Sequence, residues 1–363
     1  MIGILYPPQI LNRLRNGRGS FEKPAFYLEA AREAGENIIF FTLADIDWKR
    51  KNVWAWDGRT RNWQIKPIPG VIINRTRTNR ADARRAISRL KRLGKIVFNE
   101  RNVYSKLRIH RILAENEQLL PYLPTTETVT FHSLKGLLAL NDCLFLKPRR
   151  ASVGNGIIRV SKVDRSTFAE VNRLGRTRRR KVTVRKLVGL VGRSRRNYLV
   201  QQGIELMKVE GKPVDFRVSV QKDGNGCWQC TGIVGKVGRK KAIVTNLHCG
   251  GHSMKASKLF EAWGWNGAEV ERNIADLGVR IAATLDDRLP HVADLGLDIA
   301  LDARQHPWFI EANFRDLRIT FRDAAEWEKW RATFANPVFY AAHVMRQQRE
   351  EQAPLRKEGA SGQ

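Results

Sequence analysis

Short apolar runs alternate with stretches of helical spacing through the first hundred positions. Ile2 to Tyr6, Asn37 to Thr42, Val71 to Asn74 and Lys95 to Phe98 have strand length, whereas Tyr27 to Ala34 and Ala81 to Leu93 read as helices. Strands alternating with helices predict a small α/β domain over residues 1–103. Within it, Val53-Trp-Ala-Trp-Asp57-Gly58 and the residues up to Trp63 predict a hairpin turning at Asp57-Gly58. A basic helix is expected from about Ser105 to Leu120, ending where Pro121 and Pro124 force the chain out of helical geometry.

The same alternation continues. Residues 104–204 predict a second α/β lobe, with a strand ending in Leu144-Phe-Leu-Lys147-Pro148, a glycine-bearing turn, a strand Ile157 to Val160 and a closing strand Tyr198 to Gln202. Residues 205–345 predict a third unit. It holds strands Asp215 to Gln221 and Cys227 to Val234, a helix from about Glu269 to Leu289 and an apolar hairpin near Asp298 and Glu311. Residues 346–363 are charged and then Gly/Ser-rich, which predicts a disordered tail. No internal repeat is visible.

Composition narrows the class. The 363 residues are 42% hydrophobic, enough for two or three cores, and their formal charge is +29. That charge predicts an acidic partner: a nucleotide, nucleic acid, an acidic polymer or an anionic surface. Its densest stretch, Arg173 to Arg196, has eleven Lys or Arg and no acidic residue. The opening Met1-Ile-Gly-Ile-Leu-Tyr-Pro-Pro has no basic leader and too short an apolar run for a signal peptide, and no segment reaches membrane-span length. A soluble, cytoplasmic chain is expected. Cys227-Trp-Gln-Cys230 has the spacing of half a zinc or redox site, but no second pair completes it, and reduced thiols are the expectation. His248 and His252 likewise lack partners for zinc.

Candidate chemistry concentrates near the C-terminal hairpin. Asp298 lies in the run Leu295 to Asp302, and Glu311 and Asn313 lie in the strand that follows. Two residues along a strand returns a side chain to the same face, so Glu311 and Asn313 can point together toward Asp298. Two carboxylates and an amide oxygen suit Mg²⁺; the alternative is a hairpin with a wet polar face. Lys147 ends an apolar strand beside the loop Ser152-Val-Gly154-Asn-Gly156, whose N–H groups can converge on an anion. Arg217 shares a strand face with Asp215, which fits either a phosphate grip or a surface ion pair. Lys236 follows the strand Thr231 to Val234, and Asn246, Gly250 and Gly251 form a loop that permits close backbone approach.

Taken in order, Tyr104-Ser-Lys106-Leu-Arg, Leu146-Lys147-Pro148 with its glycine loop, Val200-Gln201-Gln202-Gly-Ile204, Asp215-Phe-Arg217, Thr245-Asn246-Leu-His-Cys-Gly250-Gly251, Asp298-Ile and Glu311-Ala-Asn313 resemble the ATP-grasp superfamily, and within it the spore-coat-associated YheC/YheD branch. The resemblance implies an ATP-grasp fold, nucleotide held between two α/β lobes and a small α/β domain in front. It further implies that Lys106, Lys147 and the loop with Ser152, Gly154 and Gly156 meet ATP phosphates. Gln201, Gln202 and Ile204 would meet adenine through backbone groups, Glu205 would lie at the ribose, and Asn246 would lie near the triphosphate. Arg217 and Lys236 are implied at the γ-phosphate or a reacting carboxylate, and Asp298, Glu311 and Asn313 as Mg²⁺ ligands. The implied activity is ATP- and Mg²⁺-dependent ligation of a carboxylate to an amine or thiol through an acylphosphate, in cytoplasm or at the spore. The alternative is a non-catalytic scaffold that attaches to an acidic polymer or spore layer. Gln202 replaces a common hinge acid, Thr245 replaces an arginine of related glutamate ligases, and Phe314-Arg-Asp-Leu-Arg318 stands where a small or Pro-containing loop is usual.

Overall fold

In a computed structural model describing residues 1–149, 156–173, 176–192, 197–240, 245 and 250–360, the chain forms three sheets with helices packed on them. The first follows from four-residue apolar runs. Ile2–Leu5, Ile38–Phe41 and Val71–Asn74 are buried at every position and pair in parallel, and Ile96–Phe98 extends them. Strands apolar on both faces need cover on both sides. Helices Pro24–Glu33 and Ala81–Arg92 contribute to it, the former starting on a proline whose missing N–H is no loss at that position. The tryptophan-rich hairpin forms as expected, Asn52–Asp57 against Asn62–Pro67.

The second sheet is antiparallel throughout. It runs Arg176–Val182, Ser166–Arg173, Ile158–Val163, Cys143–Pro148, Tyr198–Gln202 and Thr126–Thr128. Its apolar face closes on helices Phe131–Leu140 and Val184–Val191 through Leu134, Leu137, Leu138, Leu187 and Val191. The basic run is therefore ordered over much of its length, as an edge strand and a helix. Arg178, Arg179, Arg180, Lys181, Arg185 and Lys186 are exposed.

The third sheet sets His252–Lys255, Trp228–Val237, Lys212–Lys222, Asp294–Leu301 and Pro307–Asn313 side by side, all antiparallel. One face is apolar. Phe216, Val218, Val220, Leu295, Leu297 and Ile299 pack under the helix Gly267–Arg288. Gly278 lets that helix approach, since a Cβ there would lie 3.1 Å from Val220. The opposite face carries Asp215, Arg217, Ser219, Lys236, Asp298 and Glu311.

Two expectations are corrected. The basic helix is shorter, Lys106–Ala114, capped by the Ser105 hydroxyl accepting from Arg108 N–H, and Asn116 then opens a 3₁₀ turn, Glu117–Tyr122. The expected tail is also helical as far as Ala360, within a helix beginning at Trp327. Good helix formers fill positions 346–352, and two of them are tied down. Arg346 donates to the Gly224 carbonyl at 3.1 Å, and Arg349 to Glu36 at 2.8 Å. This helix packs back on Pro24–Glu33, with Phe26 edge-on to Trp330 and Tyr27 to Phe334.

Beside that aromatic contact lie two almost inaccessible guanidinium groups. Arg75 pairs with Glu22 at 2.7 Å and with Asp294 at 3.4 Å, and donates to the Asp316 carbonyl at 2.6 Å. Arg318 pairs with Asp294 at 2.6 Å, donates to the Tyr27 hydroxyl at 2.7 Å and lies over the Phe334 ring at 4.5 Å. Burial of this kind is tolerable only when the donors are matched. Glu22→Ala would leave Arg75 buried and half-paired, so stability should fall by about 3–5 kcal/mol. Breaking the exposed Arg331–Glu29 pair with Arg331→Ala should cost below about 1 kcal/mol. Urea midpoints of the two variants compare them, and equal midpoints would contradict the assignment.

Candidate functional site

The cross-strand register gathers the polar face of the third sheet. Asp298 lies directly opposite Glu311 on one side and Arg217 on the other, and Asp215 lies opposite Lys236. A bulge after Asp298 absorbs one residue of the Pro307–Asn313 strand, which keeps Glu311 on the face of Asp298. Asn313, two residues further on, pairs with Gly296 and shares that face.

The charges interlock. Asp298 contacts Arg217 at 2.9 Å and Lys236 at 3.0 Å, and Lys236 also reaches Asp215 at 3.0 Å. Arg217 closes the row on Asp316 at 3.0 Å. Gly296 makes room for this last pair, because a Cβ there would come within 2.7 Å of both the guanidinium and the carboxylate carbon. Burial pushes the Asp298 carboxyl upward, but Arg217 and Lys236 outweigh it and hold the group below the ordinary range. Asp215 moves the other way, raised by burial and by Asp298 against the pull of Lys236. Burial works against the charge on Lys236, but Asp215 and Asp298 prevail and raise it.

Two lysines from outside the third sheet face this row. Lys106, in the first turn of its helix, pairs with Glu311. Lys147, at the end of the Cys143–Pro148 strand, donates to the Gln201 side-chain carbonyl at 2.6 Å. Burial first, then the neighbouring Lys106 charge, push the Lys147 ammonium down to about 8 against the pull of Glu311 and Asp215. The structure thus brings together Lys106, Lys147, Arg217, Lys236, Asp298, Glu311 and Asn313.

The strand end after Tyr198 is partly committed. The Gln201 amide spans Lys147 and Thr126, Gln202 N–H donates to the Thr125 carbonyl, and Gly203 N–H donates to the Cys143 carbonyl. Ile204 N–H, by contrast, makes no hydrogen bond among the described residues. Glu205 stands on the rim, its side chain 91% exposed and 3.8 Å from Lys208. Gly156 holds a positive φ of 74° and its carbonyl accepts from the Tyr198 hydroxyl. Ser152, Gly154, Asn246 and His248 lie outside the described residues. Cys143, Cys227 and Cys230 are free thiols, and His252 is exposed at the start of an edge strand.

Asp316 and Arg318 were not anticipated as part of this constellation. They occupy the Phe314–Arg318 loop, noted in the sequence only as unusual, and nothing local signals their burial.

A family model described as YheC/D like ATP-grasp matches residues 94–344. The chain belongs to that family. Two relatives from Bacillus subtilis strain 168 are each 22% identical to this YheC/D-like chain. Endospore coat-associated protein YheD aligns over 302 residues, 80% of this chain and 66% of its own length. Endospore coat-associated protein YheC aligns over 300 residues, 78% and 81% respectively. The chain therefore spans less than two thirds of YheD. The crystal structure of D-cycloserine synthetase DcsG superimposes with a TM-score of 0.54 at 12% identity, covering 93% of this chain and all of that one. The ATP-grasp fold expected from the sequence is thus the fold observed.

An ATP-grasp fold implies a nucleotide and a divalent metal, and the residues present fit both. Asp298 Oδ1 is buried and accepts no hydrogen bond, its approach to Arg217 Nε being too oblique to count as one. Glu311 and Asn313 add further oxygens in register. Among the described residues, no group of three or more His, Cys, Asp or Glu side chains has metal spacing. That is consistent with a set of two carboxylates and one amide, which suits a hard cation holding the rest of its shell from water or substrate.

The same geometry predicts an unequal response to losing either carboxylate. Asp298→Ala leaves two buried cations half-paired, Lys236 on Asp215 and Arg217 on Asp316, and should lower metal-free stability by roughly 3–5 kcal/mol. Glu311→Ala removes only a part-exposed partner of Lys106 and should cost below about 1 kcal/mol. Denaturant titration without metal reads both, and a larger cost for Glu311→Ala would refute this account.

Proposed function

We propose that the chain is an ATP- and Mg²⁺-dependent ligase that joins a carboxylate to an amine or thiol. The observation that carries the reading is the facing of two lysines, Lys106 and Lys147, onto the carboxylate row of Asp298 and Glu311. Cations on one wall and oxygen ligands on the other are what a triphosphate with a divalent ion requires.

On this reading Lys106 and Lys147 bind phosphate oxygens, Ile204 N–H offers a donor to adenine, and Glu205 lies at the ribose. Gln201 positions Lys147 rather than meeting the base. Asp298, Glu311 and Asn313 would hold Mg²⁺, which when bound offsets the negative charge of the phosphates. Arg217 and Lys236 are rigidly held cations beside the place where a carboxylate must meet a phosphate of like charge, the repulsion being the main barrier to that encounter. A carboxylate oxygen attacks the γ-phosphorus, the bond to the β-phosphate oxygen breaks, and ADP departs. The amine or thiol then attacks the acyl carbon, gives up its proton and releases inorganic phosphate. No side chain need act as nucleophile. The loop with Ser152 and Gly154, and Asn246, belong to the phosphate site on this reading. The division into residues 1–103, 104–204 and 205–345 is part of the same proposal, as is a place at the endospore coat, motivated by the names of YheD and YheC.

A second reading, a scaffold that binds an acidic polymer without turnover, is favoured by the exposed Arg178, Arg179, Arg180 and Lys181 on one edge strand. ADP release stimulated by a mixture of amino acids, peptides and cell-wall precursors separates the two. Release unchanged by every candidate would favour the scaffold.

Lys147 supplies a sharper test. Phosphate favours the ammonium form, so nucleotide binding should raise the Lys147 pKa from about 8 and take up protons there. Affinity for ATP should accordingly fall as pH rises past that value. Lys147→Met should weaken ATP binding at least about tenfold at neutral pH and abolish the proton uptake. Calorimetry in buffers of different ionisation enthalpy measures both, and unchanged affinity in the variant would exclude the assignment.

A further inference from the structure

Next to the Glu311–Asn313 strand end, four arginines point no guanidinium at any carboxylate. Arg315 is part-buried, and its one hydrogen bond is to the Arg75 carbonyl at 3.2 Å. Its charged neighbours include Arg75, Glu22 and Arg77. Arg101 and Arg108 flank the Tyr104 ring at 5.3 and 5.5 Å, and that ring packs 4.6 Å from Phe314, the neighbour of Arg315 in the chain. Among the described residues none of Arg77, Arg101, Arg108 and Arg315 forms an ion pair.

The backbone carrying these arginines is rigidly joined. Asn74 donates to the Asn99 carbonyl at 2.9 Å, and Asn99 to the Phe314 carbonyl at 2.8 Å. Asn102 donates to the Thr76 carbonyl at 2.6 Å and accepts from Thr78. Like charges near one another repel, and Glu22, the carboxylate that acts on Arg315, is already paired with Arg75. Such a cost is recovered when an anionic ligand arrives, and a preassembled set of donors binds it with little further loss of freedom. The collar opens beside Lys106, whose ammonium already reaches Glu311, so a ligand lying in it would extend from the reaction site outward.

We propose that Arg77, Arg101, Arg108 and Arg315 bind an acidic peptide, gripping the carboxylates that do not react while one carboxylate enters the site. This rests on the ligase reading for the role of the bound peptide, but not for the binding itself. Guanidinium forks match carboxylates two oxygens at a time, and several forks on three chain segments suit several carboxylates along an extended backbone better than one small acid.

The test measures binding of triglutamate to the full chain by calorimetry, alone and with Mg²⁺ and a non-hydrolysable ATP analogue. Arg77→Gln and Arg315→Gln should each weaken triglutamate at least about tenfold and leave the analogue's affinity unchanged. Arg77 is exposed, so its variant keeps the test valid should Arg315→Gln fail to fold. Arg85→Gln with Arg92→Gln, on the exposed face of the helix Ala81–Arg92, should change nothing. No binding of triglutamate by the unaltered chain would overturn the proposal, as would equal losses in the control, which would mark a diffuse charge effect. Tripolyphosphate binding at Arg77 and Arg315 in place of triglutamate would overturn the carboxylate assignment. Failure of the analogue to bind while triglutamate still depends on the collar would sink the ligase reading and leave the peptide site standing.

Discussion

Asp294 is the carboxylate on which the assembly turns. It starts a central strand of the third sheet, yet it takes Arg75 from the first sheet and Arg318 from the loop beyond the hairpin, while its second oxygen accepts from Gln221 at 2.9 Å. Two guanidinium groups in an apolar surrounding could not be held without it; Glu22 and Tyr27 take further donors, and Arg318 Nε is left without a hydrogen bond. This cluster joins a parallel sheet to an antiparallel one through directional bonds. Apolar packing alone would leave their relative placement less determined.

From that anchor the charge row continues toward the candidate site. Asp316 accepts from Arg318 N–H at 3.2 Å and meets Arg217 at 3.0 Å, and Arg217 in turn meets Asp298. Each charged group in the row has a neighbour of opposite sign, so the geometry of the carboxylate wall is set by pairs that begin deep in the interface. The unusual loop after Asn313 therefore has a structural role as well as lining the mouth of the site. Arg318 reaches its place only by adopting a positive φ of 63°, a local cost that its three partners offset.

Much of this was legible along the chain. Val71–Asn74 and Tyr198–Gln202 fall where apolar runs between turn residues put them. The shared face of Glu311 and Asn313 follows from a two-residue period, whereas the facing of Asp298 and Glu311 also needs the bulge after Asp298, which the sequence does not signal. Arg75 and Arg318 were not legible, because arginine in a sequence reads as surface and their partners are distant: those of Arg75 lie 53 to 241 positions away, and those of Arg318 lie 24 positions away at Asp294 and 291 at Tyr27. The helix Trp327–Ala360 was hidden for a related reason. Pro337 interrupts its pattern, and its helicity draws on tertiary contacts with Phe26 and Tyr27 more than on propensity. Lys106 was legible as a basic residue in a helix, but its approach to Glu311 depends on how two sheets pack.

That late helix also orders events in time. The apolar side of Pro24–Glu33 is covered by Trp330, Phe334 and Val338, residues a ribosome adds long after that helix. During synthesis the first sheet can pair its strands, yet this face stays bare until those residues emerge. Closure of this face consequently trails the pairing of the first sheet and passes through a sticky intermediate that must be sheltered or outrun.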